Sequence, residues 1–255
     1  MTRTSIARIW YAGGVAPSVG RALLWIPARA FAGGARVRNL LFDRGVLRVH
    51  QGPIPAVSIG NITVGGTGKT PVAAWLAAEL ARRGARPAIV LRGYGGDEPA
   101  VHARLNPGIP VVVEPDRVKG VRRAAELGAD VAVLDDAFQH RRAARVADVV
   151  LVSAERGLER PRMLPAGPYR EPVAALRRSS LVVVTRKTAT PAEAARVLLA
   201  ADAASGGEGA VVRLEPATLV RVDGGETRPL AGVAGRRVML LTGVGEPGLV
   251  AEQLR

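Results

Sequence analysis

The chain has 255 residues, 36 arginines and lysines against 22 acids, and no cysteine. With 48% apolar residues it has ample material for one large α/β domain or two smaller ones, which argues against a disordered chain. Disulfide, thiolate and cysteine–zinc chemistry are excluded outright. The formal charge of +14 is nearly all arginine, Lys69, Lys119 and Lys187 being the only lysines. It favours anionic partners such as phosphates or acidic lipid surfaces and makes no separate case for nucleic acid.

Residues 1–50 carry five of the nine aromatics, among them Trp10, Tyr11 and Trp25, and eight arginines against the single acid Asp43. The apolar run "ALLWIPA" is bracketed by Arg21 and Arg29 and broken by Pro27, far short of the ~20 residues that span a bilayer. The interleaving of aromatic and basic residues predicts an amphipathic helical segment lying in a membrane interface. Leu23, Leu24, Trp25 and Ile26 would enter the acyl boundary and the arginines would snorkel to headgroups. Ordinary packing helices and a signal peptide are the rival readings.

Residues 51–210 alternate strand and helix. "AVSI" (56–59) is a β-branched strand, followed by the loop "TVGGTGKT" and a helix from Pro71 to Arg83 whose apolar side is assigned to Val72, Trp75, Leu76 and Leu80. Further strands are predicted at "AIVL", "ADVAVLDD", "ADVVLVSA" and "SLVVVTRK". Helices are predicted from the Asp116 cap and from "TPAEAARVLLAADAA". The pattern predicts a doubly wound, mostly parallel sheet of the P-loop NTPase type. Residues 211–235, with alternation around a D-G-G turn, predict a β-ribbon connector. Residues 236–255 predict a strand, glycine turn and helix that begin a second, incomplete α/β lobe.

The glycine-rich loop between strand and helix suits an anion, because its backbone N–H groups turn inward and the helix adds its positive dipole end. Thr63, Gly65, Gly66, Thr67, Gly68, Lys69 and Thr70 form the candidate nucleotide site. Lys69 would reach the terminal phosphates and Thr70 would ligate Mg²⁺. Thr63 stands where the strict G-x-x-x-x-G-K-[ST] pattern has its first glycine. Asp135 and Asp136, at a strand tip, resemble a Walker B acid pair able to hold the metal. Asp97, beside Glu98 after "RGYGG", is the candidate base for an attacking alcohol. Arg162 and Arg170 in the proline-punctuated "RMLPAGPYREP" suit an anion clamp. His140 is a lone histidine in a polar loop, which is more often structural than catalytic.

Taken together, "RIWY", "SIGNITVGGTGKTP", "LRGYGGDEP", "PDRVKG", "LDDAFQH", "LPAGPYREP" and "TGVGEP" resemble, in order along the whole chain, the tetraacyldisaccharide 4′-kinase family of lipid A biosynthesis. Thr63 is ordinary in that family's loop. The resemblance implies transfer of the ATP γ-phosphate to the 4′-hydroxyl of an acylated disaccharide 1-phosphate lipid at the cytoplasmic face of the inner membrane, by a peripheral enzyme with no nucleic acid or obligate protein partner. It places the catalytic role on Asp97, with Lys69 and Glu98, and substrate contacts on Arg117, Arg170 and His140. Metal binding falls to Thr70, Asp135 and Asp136. Ala137 replaces the family's usual glycine. Family members continue beyond "TGVGEP" into a second domain with a histidine thought to support the base, so the resemblance implies that only the start of that lobe is present here. A soluble metabolite kinase and a deviant-Walker ATPase are the alternatives. Against the latter, Val64 occupies the place of that loop's signature lysine.

Overall fold

The computed structural model describes residues 9–93, 97–159, 161–223, 226–242 and 247–254. Seven strands form one parallel sheet: β1 (Ala56–Asn61), β2 (Pro87–Leu91), β3 (Val111–Val113), β4 (Val131–Asp135), β5 (Ala147–Ser153), β6 (Leu181–Arg186) and β7 (Ala210–Arg213), in spatial order β3-β2-β4-β1-β5-β6-β7. The glycine-rich loop therefore springs from the central strand. In an open α/β sheet of this kind, ligands bind outside the carboxyl ends of the strands near the point where strand order reverses. Register places Ile59 beside both Asp135 of β4 and Val149 of β5, so the loops after these strands emerge on one rim.

Both faces are covered, as β-branched runs buried on two sides require. On one face Ile59, Ile89, Leu91, Val133 and Leu151 meet Ala73 and Ala77 of α3 (Lys69–Arg82). On the other, Val90, Ala132 and Leu134 meet Val118, Val121 and Ala124 of α5 (Arg117–Glu126), while Val150, Val152, Val182 and Val184 meet Val197 and Ala201 of α6 (Pro191–Ser205). The predicted caps are present. The Asp116 side chain accepts from the Val118 N–H at 2.9 Å, and Thr190 with Glu193 forms a capping box. Gly60 in β1 lies so close to Phe138 that any Cβ there would strike its backbone nitrogen.

The N-terminal segment forms α1 (Val15–Leu23) and α2 (Trp25–Asp43), which together bury only Ala28. No helix among the described residues is long and apolar enough to cross a membrane. Helix α2 is fastened to the core at its C-terminal half. Glu171, fully buried, accepts from Arg38 at 2.5 Å and from Asn39 at 2.7 Å, and Arg141 donates to the Asn39 carbonyl at 3.0 Å and to Asp43 at 2.7 Å.

Three expectations need correction. Trp75 is 63% exposed, and α3 buries Ala73, Ala74 and Ala77 instead, because only small side chains let the helix approach the sheet closely. Residues 210–213 are not part of a ribbon. Hydrogen bonding to β6 makes them the seventh parallel strand, and the antiparallel ribbon is confined to β8 (Thr218–Val220) and β9 (Thr227–Pro229). The strand expected after residue 236 is absent: residues 238–241 pair with no strand among the described residues and expose Met239 and Leu241 almost completely, before a short helix α7 (Pro247–Gln253). An apolar run alone does not make a strand without a neighbour to satisfy its backbone.

Candidate active site

At the end of β1, Asn61 is fully buried and serves as a hub. Its amide donates to the Thr67 hydroxyl at 2.8 Å, its carbonyl accepts from Gln139 at 2.7 Å, and its side-chain oxygen accepts from Arg170. Beyond it, Gly65 (φ +129°) and Gly68 (φ +81°) take left-handed conformations open to glycine, and Gly68 caps α3. The loop's carbonyls are gripped from β6, where Thr185 donates to the Thr67 carbonyl at 3.0 Å and the Lys187 ammonium to that of Gly66. The N–H groups of Gly66 and Gly68 meet no acceptor among the described residues. With the open first turn of α3, where Lys69 and Thr70 sit, this is a backbone anion site. Thr63 pairs with Tyr169 across a short antiparallel bridge, closed by the Val64 N–H to the Pro168 carbonyl at 2.7 Å and the Arg170 N–H to the Ile62 carbonyl at 2.8 Å.

The two neighbouring acids stand in different surroundings. Asp135 continues β4 and is 4% exposed; its Oδ2 lies 2.9 Å from His102 Nε2, its main-chain carbonyl accepts from Arg117 at 3.1 Å, and its Oδ1 is buried without a partner. Asp136 has φ +51°, a left-handed conformation that turns the chain out of the strand. Its carboxylate receives both arms of the Arg170 guanidinium, at 2.7 and 3.1 Å, and lies 3.8 Å from the Lys69 ammonium. Burial works to raise the Asp136 pKa, but the Arg170 hydrogen bonds and the Lys69 charge prevail and bring it down to about 2. For Lys69, burial lowers the ammonium pKa, with Asp136 opposing.

Asp97 is exposed at the N-terminus of α4 (Glu98–Leu105), and its side chain makes no hydrogen bond among the described residues. Glu98 beside it has its pKa raised by burial and by the repulsion of Asp135, Asp136 and Asp97, with Lys69 opposing. The helix start that carries both acids thus shares the electrostatic field of the loop lysine and the β4 tip. The "YGG" turn before them lies outside the described residues. Arg117, placed as a substrate contact by the family resemblance, is buried and donates to the carbonyls of Glu114 and Asp135, so it braces the β4 tip.

His140 is half-buried, and burial, with the charges of Arg117 and Arg92, brings its pKa down to about 4 from 6.5, against the pull of Asp136. The unfolded chain then takes up a proton between pH 6.5 and 4 that the folded chain refuses. Stability is therefore full above pH 6.5 and falls as pH drops towards 4; the full shift corresponds to roughly 3 kcal/mol, which solvent screening at this half-exposed group reduces to about 2 kcal/mol. Urea midpoints measured across that window should show the decline, and His140→Gln should flatten it.

Two cavities lie outside the cluster of Lys69, Asp135 and Asp136, none of which lines either, and one of them runs along the loop. One of about 370 Å³ lies between residues 63–67, Trp10, Tyr11, Glu155 and Arg156. Another of about 760 Å³ lies between the N-terminal helices and residues 161–166, with Arg21, Arg29, Arg36 and Arg162 on its walls beside Trp25 and Met163.

Sequence reasoning passed over several residues that shape the site. His102, Thr185 and Lys187 carry no motif spacing of their own, and Asn61, though inside "SIGNITVGGTGKTP", was assigned no role. Glu155, whose carboxylate accepts the N–H groups of Lys187 at 2.5 Å and Thr188 at 3.1 Å, belongs to no motif either. The available signal was position: each lies at or just past the carboxyl end of a strand, or one helical turn from a motif.

A parallel sheet whose central strand feeds a glycine-rich anion loop, with lysine, threonine and strand-tip acids converging on it, defines a P-loop nucleotide-dependent phosphotransferase. A family profile described as tetraacyldisaccharide-1-P 4′-kinase, LpxK, matches residues 20–255. The chain belongs to this family of lipid A biosynthesis kinases. Similar relatives named tetraacyldisaccharide 4′-kinase occur in Anaeromyxobacter sp. strain Fw109-5, 39% identical over 95% of this chain and 72% of the relative, and in Chlorobaculum parvum, 39% identical over 87% and 68%. Among solved structures, LpxK from Aquifex aeolicus in complex with ATP superimposes with a TM-score of 0.60 at 34% identity, covering 64% of this chain and 58% of that one. The chain thus spans about three-fifths of the length of that solved relative.

Proposed function

We propose that this chain transfers the terminal phosphoryl group of ATP to the 4′-hydroxyl of an acylated glucosamine disaccharide 1-phosphate, giving lipid IVA. The observation that carries the reading is the convergence at the rim: Lys69 and Arg170 on Asp136, beside the buried and unpartnered Oδ1 of Asp135. Two cations and the loop N–H groups offset the negative charge of a bound triphosphate, the main task in phosphoryl transfer.

The donor set fits Mg²⁺. An orphaned carboxylate oxygen in a buried position is a hard ligand awaiting a cation, Thr70 supplies a hydroxyl at the first turn of α3, and Asp136 adds a second carboxylate. When bound there, the ion would neutralise charge on the phosphates being separated. Lys69 holds the terminal phosphate, and its neighbour Asp136 keeps the ammonium aligned. Asp97, exposed at the start of α4 and with no side-chain hydrogen bond among the described residues, accepts the proton of the attacking sugar hydroxyl. Glu98 contributes to the field around it, and Arg170 stays on Asp136 as a fixed positive charge. His140, neutral at physiological pH, adds no charge of its own there.

The N-terminal helices suit a peripheral site on the cytoplasmic face of the inner membrane. Val15, Val19, Leu23, Trp25 and Ile26 are all more than half exposed, with Arg29 stacked 5.3 Å from the Trp25 ring. Anionic vesicles should co-sediment the protein, and Trp25→Glu should release it; unaltered binding would show that these residues merely pack.

The decisive experiment is mass spectrometry of the disaccharide lipid precursor after incubation with Mg·ATP. A gain of one phosphoryl group at the 4′ position is expected. An unchanged acceptor would overturn the proposal.

A further inference from the structure

His102 belongs to none of the motifs, yet it is one of the most enclosed polar side chains in the protein, with 0% exposure at a site where Asp135 has 4%. A histidine rarely leaves water without a task, because an imidazole buried without partners loses hydrogen bonds to solvent. Here Nε2 lies 2.9 Å from Asp135 Oδ2, while Nδ1 is buried with no partner. That asymmetry fixes the tautomer. A carboxylate oxygen only accepts, so the proton must sit on Nε2, which leaves Nδ1 as a bare lone pair. The opposite tautomer would bury an N–H without an acceptor and set a lone pair against a carboxylate, losing on both counts.

The consequence falls on Asp135. Its Oδ2 is occupied by the imidazole N–H and its main-chain carbonyl by Arg117, which leaves Oδ1 as the one oxygen without a hydrogen bond among the described residues. The helix bearing the imidazole is itself pinned. Just past its end, Asn106 donates to the Ala74 carbonyl of α3 at 2.9 Å, so the His102 ring cannot drift without moving a helix packed against the sheet.

We infer that His102 is a positioning residue for the metal site: its Nε2–H locks the Asp135 carboxylate so that Oδ1 alone is presented to a divalent cation. This rests on the reading of Asp135 as a metal ligand in the proposed function. It also joins two parts of the site, since the same short helix that holds the carboxylate begins at Asp97 and Glu98. Groups that orient a ligating side chain commonly change metal affinity by about 10–100-fold when removed.

The test compares His102→Leu, which fills the space without a donor, with His102→Gln, whose side-chain amide can place an N–H where Nε2 stands. Mn²⁺ is the probe, its binding followed by electron paramagnetic resonance in the presence of a non-hydrolysable ATP analogue. His102→Leu is expected to weaken Mn²⁺ binding about 10-fold or more, and His102→Gln to stay within about 3-fold of the natural protein. Equal affinity in all three proteins overturns the inference, as does an equal loss in both variants. Should the leucine variant not fold, two measurements still decide. The His102→Gln comparison is one, and the other is the histidine ¹⁵N spectrum of the natural protein, in which protonation of Nδ1 rather than Nε2 would overturn the tautomer and the inference with it. Failure of the functional proposal looks different: the lipid acceptor would remain unphosphorylated while the Mn²⁺ pattern across the three proteins held.

Discussion

Lys69→Ala is expected to lower kcat/KM for phosphoryl transfer at least about 1,000-fold while leaving the thermal midpoint within a few degrees of the natural protein. The lysine opens α3, three-quarters or more of its side chain is covered, and its closest ionic partner, Asp136, is 3.8 Å away. That distance makes a weak structural link, and Arg170 keeps Asp136 paired when the lysine is gone. Catalysis loses much more, because the ammonium is held in a partly dry site where charge is little screened, facing the position of the terminal phosphate. Asp97→Asn should separate chemistry from binding. It retains the shape and removes the proton acceptor, so kcat should fall about 100-fold or more with the KM for ATP nearly unchanged. Steady-state assays with the lipid acceptor, paired with calorimetric melting, decide both. A Lys69→Ala protein with near-normal turnover would remove the phosphate loop from the mechanism.

The largest loss of stability is expected from Glu171→Ala. The carboxylate is fully buried, accepts from Arg38 and Asn39, and lies 3.6 Å from Arg178, whose three guanidinium nitrogens are otherwise buried without hydrogen bonds. Burial already lowers the Arg178 pKa, with Glu171 the largest opposing influence. Deleting the acid strands that guanidinium in a medium that solvates it poorly. Breaking a buried pair by removing one partner typically costs about 3–5 kcal/mol. Part of the anchorage of α2 goes with it, because among the described residues Arg38 and Asn39 donate to no other carboxylate, and only the Arg141 bonds to Asn39 and Asp43 remain. Urea denaturation should show the shift, and a change below about 1 kcal/mol would mean that the cluster is solvated in practice.

Much of this architecture was legible because local and global signals agree. The β-branched runs at residues 149–152 and 181–184 can hardly be anything but buried strands, and the Thr190, Pro191 and Glu193 combination fixes a helix start by simple hydrogen-bond geometry. Where legibility failed, the deciding quantity was a neighbour rather than a propensity. Trp75 looked like core, yet sheet proximity selects alanine at 73 and 77. Residues 210–213 became a strand because β6 offered an open edge, and residues 238–241, more apolar still, found none among the described residues. In the site, the loop and the acid pair announced themselves through spacing. His102 did not, since its meaning depends on a contact across 33 positions of the chain. Arg117 was marked as a substrate contact through the family resemblance but is turned inward to main-chain carbonyls, which no sequence pattern distinguishes from an outward pose.

The proline-punctuated segment around Tyr169 is stitched by its main chain to the root of the phosphate loop: Val64 donates to Pro168, and both Arg170 and Glu171 donate to Ile62. Adding or deleting a residue in that segment would therefore retune the grip on nucleotide from a hundred positions away. Natural variation in its length should be scarce, and a designer wishing to alter acceptor preference would do better to exchange side chains there than to change the size of the loop.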